Sequence, residues 1–224
     1  MIKKHIPNAI TCANLFSGCI VIVYAFNGDL KTVAWFVILS GIFDFFDGLV
    51  ARWLNVKSAI GKELDSLADV ISFGFLPGVV LFQMLNNVEA AGYLPYFAFL
   101  IPVFSALRLA KFNVDTRQAE DFIGLNTPMN TFIIISLPYL AEDFLFVGSS
   151  YFLLPLICLS CFLLISEISF FSFKLSDTSW ATNRFRFLFL LVALILLFVF
   201  QLSAFPFIFV AYWIFSILHY NAKS

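Results

Sequence analysis

From Phe187 to Ala222 the chain carries no Lys, Arg, Asp or Glu and is almost entirely apolar. A helix crossing a bilayer takes ~20 mostly apolar residues, with a working range of ~17–25. The run is therefore too long for one pass and too apolar for a water-facing surface. Ser203 and Pro206 sit within it and can supply a turn, because proline disfavours helix at the residue before it. The same character extends back along the chain. Of its 224 residues, 62% are hydrophobic and 12% are charged, against roughly 25% charged in soluble domains. A soluble globule, a disordered tail and a soluble nucleic-acid binder are all excluded, and no nucleic-acid partner is expected. The chain reads as an integral membrane protein.

Apolar stretches at about 8–26, 32–52, 61–85, 92–110, 128–142, 150–168, 184–201 and 204–219 can each cross once. They predict an all-α polytopic bundle of about eight transmembrane helices (six to eight), forming a single domain over residues 1–224. Lys and Arg accumulate on the cytoplasmic side of membranes. With the N-terminus inside, Lys3, Lys4, Arg52, Lys57, Lys62, Arg108, Lys111, Arg117, Lys174, Arg184, Arg186 and Lys223 all fall inside, and only Lys31 falls outside. That asymmetry predicts an even number of crossings with both termini cytoplasmic. The first apolar stretch lacks an A-x-A-like end and reads as a retained helix rather than a cleaved signal. Cys12, Cys19, Cys158 and Cys161 fall inside predicted helices. The C-x-x-C of the last two has no partner cluster and reads as packing.

Four aspartates in two neighbouring helices stand against this apolar background. A carboxylate at membrane depth costs ~2.5–3.5 kcal/mol on insertion scales, so such residues mark functional sites by default. Asp44 and Asp47 are spaced i,i+3 and Asp65 and Asp69 i,i+4, so each pair occupies one helix face. The connection from Trp53 to Ile60 is short enough to make the two helices antiparallel neighbours. The four carboxylates can then converge. Like charges that close cannot all stay ionised unless a cation holds them. Hard oxygen ligands suit Mg²⁺, Mn²⁺ or Ca²⁺ rather than zinc.

Small residues accompany the aspartates. Gly48 and Ala51 follow Asp47, and Gly61 precedes Asp65 by one turn. Their lack of bulk lets a large group approach the backbone, and Arg52 can grip an anionic oxygen through its planar fork. Together these describe a site for a diphosphate. A structural polar network, an ion path or a divalent-cation transporter are the alternatives. A through-path predicts polar residues continuing to the far side, yet the third helix turns apolar after Ser72, through Val79, Val80, Leu81 and Phe82.

Asp44-Phe-Phe-Asp47-Gly48-Leu-Val-Ala51-Arg52, eight residues, then Gly61-Lys-Glu-Leu-Asp65-Ser-Leu-Ala-Asp69 resembles the signature of the CDP-alcohol phosphatidyltransferase family, D-x2-D-G-x2-A-R-x8-G-x3-D-x3-D, at every fixed position. The resemblance implies transfer of a substituted phosphate from a CDP-linked donor to an alcohol, with release of CMP, at two divalent ions (Mg²⁺ or Mn²⁺) facing the cytoplasm. It implies Asp44, Asp47, Asp65 and Asp69 as metal ligands, with Asp69 also the general base. Gly48, Ala51, Arg52 and Gly61 would line the cytidine and diphosphate.

Three further blocks are similar to the serine-using branch of that family, which takes CDP-diacylglycerol as donor. They are Asp69-Val-Ile-Ser72-Phe-Gly74-Phe-Leu-Pro77; Pro7-Asn8, Thr11 and Asn14-Leu-Phe-Ser-Gly18; and Arg108-Leu-Ala-Lys111-Phe-Asn113 with Phe122-Ile-Gly124-Leu-Asn-Thr-Pro128. The branch implies phosphatidylserine as product and L-serine as acceptor. Asn8 and Thr11 would lie near the donor, and Arg108, Lys111 and Asn113 would contact a serine carboxylate or lipid phosphate. It also implies a homodimer in the cell membrane. Glycerol 3-phosphate or inositol would serve the same chemistry as acceptors, although an acceptor phosphate would want more converging cations.

Overall fold

The structure is a computed structural model that describes residues 5–56, 58–88, 92–115, 117, 122–172 and 179–222. Of the basic residues used to orient the chain, Lys3, Lys4, Lys57, Lys174 and Lys223 lie outside the described residues. Helix α1 (His5–Phe26) and helix α2 (Leu30–Trp53) form an antiparallel hairpin. It turns at Gly28, whose φ of +82° suits glycine. Asp29 caps α2, its side chain accepting from the Thr32 backbone N–H at 3.1 Å. In lipid, helices gain no hydrophobic drive to associate and use small residues and hydrogen bonds instead. Here the Ser17 and Ser40 hydroxyls meet at 2.7 Å, and Thr11 Oγ1 donates to Asp47 Oδ2 at 2.6 Å.

The third predicted crossing is continuous, but it is not a uniform α-helix. Helix α3 (Ala59–Asp69) passes through a π-helical turn (Val70–Phe75) into helix α4 (Leu76–Asn86). The cause is local. Pro77 has no N–H to offer the carbonyl of Phe73 four residues earlier. That carbonyl instead accepts a hydrogen bond from Thr131 Oγ1 at 2.8 Å.

Helix α5 (Leu100–Val114) follows a 3₁₀ turn (Leu94–Phe99). A β-carbon at Gly78 would lie 2.9 Å from Pro102 Cδ and 3.3 Å from the Ala98 carbonyl oxygen, so α5 packs directly on the α4 backbone. Gly78→Val should therefore cost about 1–3 kcal/mol by overpacking. Thermal unfolding in detergent checks this against Gly148→Ala, whose added methyl would rest 3.7 Å from Ala141 Cβ. Equal melting temperatures for the two variants would refute the tight α4–α5 contact.

After α5 come strand β1 (Phe122–Ile123), helix α6 (Thr127–Asp143), helix α7 (Ser150–Ile165), strand β2 (Ser169–Phe170), helix α8 (Trp180–Phe200) and helix α9 (Phe205–Asn221). The predicted span 150–168 thus stops at Ile165. The chain beyond it leaves the helix so that β2 can pair antiparallel with β1, Phe170 opposite Phe122 and Ser169 opposite Ile123. The long uncharged run does fold as two helices. Its turn lies at Gln201–Ala204, with Gln201 at φ +50°, and Pro206 enters the first turn of α9, where its missing N–H leaves no bond unmade.

Among the described residues, five stretches are long and apolar enough to cross a membrane: His5–Phe26, Leu30–Trp53, Ala59–Asn86, Leu94–Val114 and Thr182–Asn221. The Ser150–Ile165 helix is apolar but shorter. This is an all-α membrane protein, apart from one two-residue strand pair. Its helix directions follow from the contacts. Asn8 meets Gly61, Gly18 meets Ser72, and Gln83 Nε2 donates to the Phe26 carbonyl, so α1 runs parallel to α3–α4. Ser105 meets Gly74 while Ala98 and Pro102 meet Gly78, so α5 runs antiparallel to them. Phe132 meets Gly41 and Tyr139 Oη donates to the Lys31 carbonyl, so α6 opposes α2 and runs with α1. Beyond the π turn, Leu76, Val79, Val80, Leu81 and Leu85 are wholly enclosed and fill the bundle with apolar atoms. A second apolar cluster, centred on Phe170, Phe171, Phe189 and Tyr212, seats the α8–α9 hairpin.

Candidate active site

The α1–α2 hairpin and the start of α3 place the aspartates. The chain leaves α2 through Asn55, at φ +52°, a conformation asparagine tolerates. It re-enters helix at Ser58, whose hydroxyl accepts from the Gly61 N–H at 3.1 Å. This turn packs α3 on α1 and turns its carboxylates towards those of α2. One oxygen from each of Asp44, Asp47 and Asp65 then lies within 4.8 Å of the others. The carboxyl of Asp69, one turn beyond Asp65, adjoins that of Asp44, and Arg108 on α5 brings a positive charge within Coulombic reach of it. All four aspartates of the sequence motif are brought together. The donor set is entirely carboxylate oxygen, and it fits a hard divalent cation.

A cavity of about 510 Å³ opens beside the cluster. Its wall includes Asn8, Thr11, Asp47, Gly48, Ala51, Gly61 and Asp65, together with Pro7, Val56, Ser58, Ala59 and Lys62. A β-carbon on Gly48 would meet nothing within 4 Å, so that wall is open backbone. At Gly61 a β-carbon would lie 2.9 Å from Asn8 Oδ1, so the missing side chain lets α1 reach the rim. Thr11 aims one Asp47 oxygen through their hydrogen bond.

The other expected residues sit differently. Arg52 is exposed, donates from Nε to the Gly48 carbonyl at 3.0 Å, and is not part of the cavity wall. Lys111 pairs with Glu167 at 2.5 Å, and Arg117 bridges Glu167 and Asp115 at 3.3 and 2.8 Å. The Lys111 ammonium, hydrogen-bonded to it, holds the Glu167 carboxyl below its ordinary range. Asn113 ties α5 to α3, donating to Ser66 Oγ and accepting from Lys62 Nζ, both at 2.8 Å. Lys111 and Asn113 therefore lie at the cluster's margin, outside the cavity wall.

Sequence reading named Asn14, Arg108 and Thr127 through the resemblance but missed Ser105 and Asn130, and missed that all five are enclosed around the π turn. Asn14, Ser105, Thr127 and Asn130 have no solvent exposure, and Arg108 is buried. Among the described residues, both carboxamide atoms of Asn14 and of Asn130, the hydroxyls of Ser105 and Thr127, Arg108 Nε and Asp69 Oδ1 have no hydrogen-bond partner. Leaving one such group unmet costs about 1–3 kcal/mol. The signal was available in the sequence as polar residues at i, i+3 and i+4 (Thr127, Asn130, Thr131) in an otherwise apolar helix.

A family model described as CDP-alcohol phosphatidyltransferase matches residues 4–163, which take in α1 to α7 up to its last turn. The chain is 34% identical over 173 residues to a CDP-diacylglycerol–serine O-phosphatidyltransferase of Helicobacter pylori, covering 75% of this chain and 72% of that one. It is 30% identical over 172 residues to a protein of the same name from Bacillus subtilis, covering 76% and 92%. To one from Saccharomyces cerevisiae it is 34% identical over 159 residues, covering 62% and 55%.

Proposed function

The chain belongs to the CDP-alcohol phosphatidyltransferase family, and from that premise we propose that it transfers the phosphatidyl group of CDP-diacylglycerol to the hydroxyl of L-serine, giving phosphatidylserine and CMP. The observation that carries the reading is the convergence of Asp44, Asp47 and Asp65 on a cavity walled by Gly48, Ala51 and Gly61. The relatives named for this activity support serine as acceptor over glycerol 3-phosphate or inositol. So does the presence of one enclosed arginine near Asp69, where an acceptor phosphate would want several cations.

Asp44, Asp47, Asp65 and Asp69 would hold two divalent ions, Mg²⁺ or Mn²⁺. Such ions neutralise the diphosphate and stabilise the leaving group. The backbone at Gly48 and Gly61 admits the diphosphate, with Asn8 and Thr11 at its rim. Arg52 would turn from the Gly48 carbonyl to reach an anionic oxygen. Asp69 takes the proton from the serine hydroxyl as its oxygen attacks the phosphorus that carries diacylglycerol. The bond from that phosphorus to the CMP oxygen breaks, and CMP leaves. In-line transfer asks mainly for positioning and charge stabilisation, which the fixed helices provide.

The reading includes eight crossings with both termini and the cavity on the cytoplasmic side. It also includes a homodimer, on the family resemblance alone. Purified protein given CDP-diacylglycerol, a divalent ion and one alcohol at a time tests the function. CMP should appear with serine. Release with glycerol 3-phosphate or inositol instead would overturn the acceptor, and none with any alcohol would overturn the transferase.

A further inference from the structure

The third crossing is gripped at one end and held lightly at the other. In α4 eight of eleven residues are buried. Gly74 in the π turn and Gly78 in α4 leave no gap to α5, since a β-carbon there would lie 3.0 Å from Ser105 Cβ and 2.9 Å from Pro102 Cδ. In α3 only Ala68 is buried, and Ile60 and Leu67 are largely exposed. Between the two halves the bonding pattern changes. The Val70 N–H donates to the Ser66 carbonyl four residues back, whereas the Leu76 N–H donates to the Ile71 carbonyl five residues back. The turn therefore takes up one residue more than an α-helix would. If it closed to a regular helix, the side chains on its two sides would swing by roughly 100° relative to each other. The enclosed half, α4, cannot follow, so α3 would swing. Asp65 and Asp69 would then leave the carboxyls of Asp44 and Asp47.

What holds the longer turn open comes from outside the rod. Pro77 cannot donate to the Phe73 carbonyl, and an enclosed carbonyl needs a donor. Thr131 of α6 supplies it, Oγ1 to the Phe73 oxygen at 2.8 Å, and shares its one hydroxyl proton with the Thr127 carbonyl at 2.9 Å. Thr131 has no solvent exposure and is no part of the cavity wall. Without its hydroxyl the Phe73 carbonyl would have to seek an N–H along the rod, and any such bond resets the turn. We infer that Thr131 is a positioning residue for the metal site: it satisfies the carbonyl that Pro77 leaves bare, so the π turn persists and keeps Asp65 and Asp69 pointed at Asp44 and Asp47. This rests on the reading of those four carboxylates as metal ligands, and adds to it a residue that acts only through the helix.

The test measures Mn²⁺ binding to purified protein in detergent, without substrate, from the loss of the free-ion electron paramagnetic resonance signal. Thr131→Val keeps the shape of the side chain and loses the hydroxyl. It should bind Mn²⁺ about 10–100-fold more weakly, the range for groups that orient metal ligands, while Thr131→Ser, which keeps the hydroxyl, should stay within about threefold of the unmodified protein. An unchanged affinity in a cooperatively melting Thr131→Val would overturn the inference. A second variant separates positioning from simple hydrogen bonding. Adding Pro77→Ala to Thr131→Val returns an N–H to the Phe73 carbonyl and makes the regular helix the better-bonded form. The double variant should regain the melting temperature lost in Thr131→Val while its Mn²⁺ affinity stays low. Recovery of both together would overturn the inference, because Thr131 would then do no more than fill a hydrogen bond. Should Thr131→Val alone fail to fold, the double variant, whose carbonyl is satisfied, carries the same test. Absence of Mn²⁺ binding by the unmodified protein would instead fell the metal reading, and this inference with it.

Discussion

Asp69→Asn abolishes serine-dependent CMP release, with an expected loss of about 10²–10⁴ in kcat, the range typical of removing a general base. The substitution keeps the shape of the side chain and removes its capacity to take a proton. The effect should fall on kcat rather than on KM for CDP-diacylglycerol, because Asp69 stands one turn deeper than the residues of the cavity wall. Formation of labelled phosphatidylserine under saturating substrates measures it. An Asp69→Asn enzyme within about tenfold of the unmodified protein would remove Asp69 from the proton transfer and require another base. No other carboxylate of the cluster shares its position. Asp44, Asp47 and Asp65 face one another, whereas Asp69 has one oxygen enclosed without a partner among the described residues and lies within Coulombic reach of Arg108.

Chelation is the second large effect. EDTA should bring CMP release to background, and Mg²⁺ or Mn²⁺ should restore it, because three carboxylates within 4.8 Å cannot act as free anions beside a diphosphate. Thr11 gives this prediction a finer edge. Its hydroxyl donates to Asp47 Oδ2 and fixes which oxygen faces the cluster. Groups that orient a metal ligand in this way typically contribute 10–100-fold to metal affinity. Thr11→Val should accordingly raise the metal concentration for half-maximal activity by about that factor, with full activity recovered at saturating ion. Activity that survives exhaustive chelation would refute the metal site. An unchanged metal requirement in Thr11→Val would refute the orienting role of its hydroxyl.

The aspartate cluster was legible in the sequence because helical spacing alone decides which residues share a face, and the eight residues between Arg52 and Gly61 permit little besides an antiparallel return. The spans were legible for the same reason, their length and apolarity being one-dimensional properties. What escaped depended on partners far away in sequence. The π turn before Pro77 is one such feature, because the Phe73 carbonyl that Pro77 leaves bare finds its donor in Thr131, fifty-eight positions away. The end of the 150–168 segment was set by pairing of Ser169 and Phe170 with Phe122 and Ile123, which no local pattern announces. Lys111 looked available to a substrate because Glu167, its partner, is fifty-six positions away. Arg52 belongs to the motif yet lies along its own helix against the Gly48 carbonyl, a rotamer that spacing cannot reveal.

The π turn between α3 and α4 makes the rotational phase of the site a separate variable from the packing of the bundle. An α-helix advances roughly 100° per residue, and a π turn takes up an extra residue without ending the rod. The half of the rod that carries Asp65 and Asp69 packs on α1 with its carboxylates turned to those of α2, while the half beyond packs on α1, on α6 and on the 3₁₀ turn before α5, and neither orientation dictates the other. A regular helix of the same composition would have to choose between closing the apolar core and gathering the carboxylates. Six residues from Val70 to Phe75 relieve the chain of that choice.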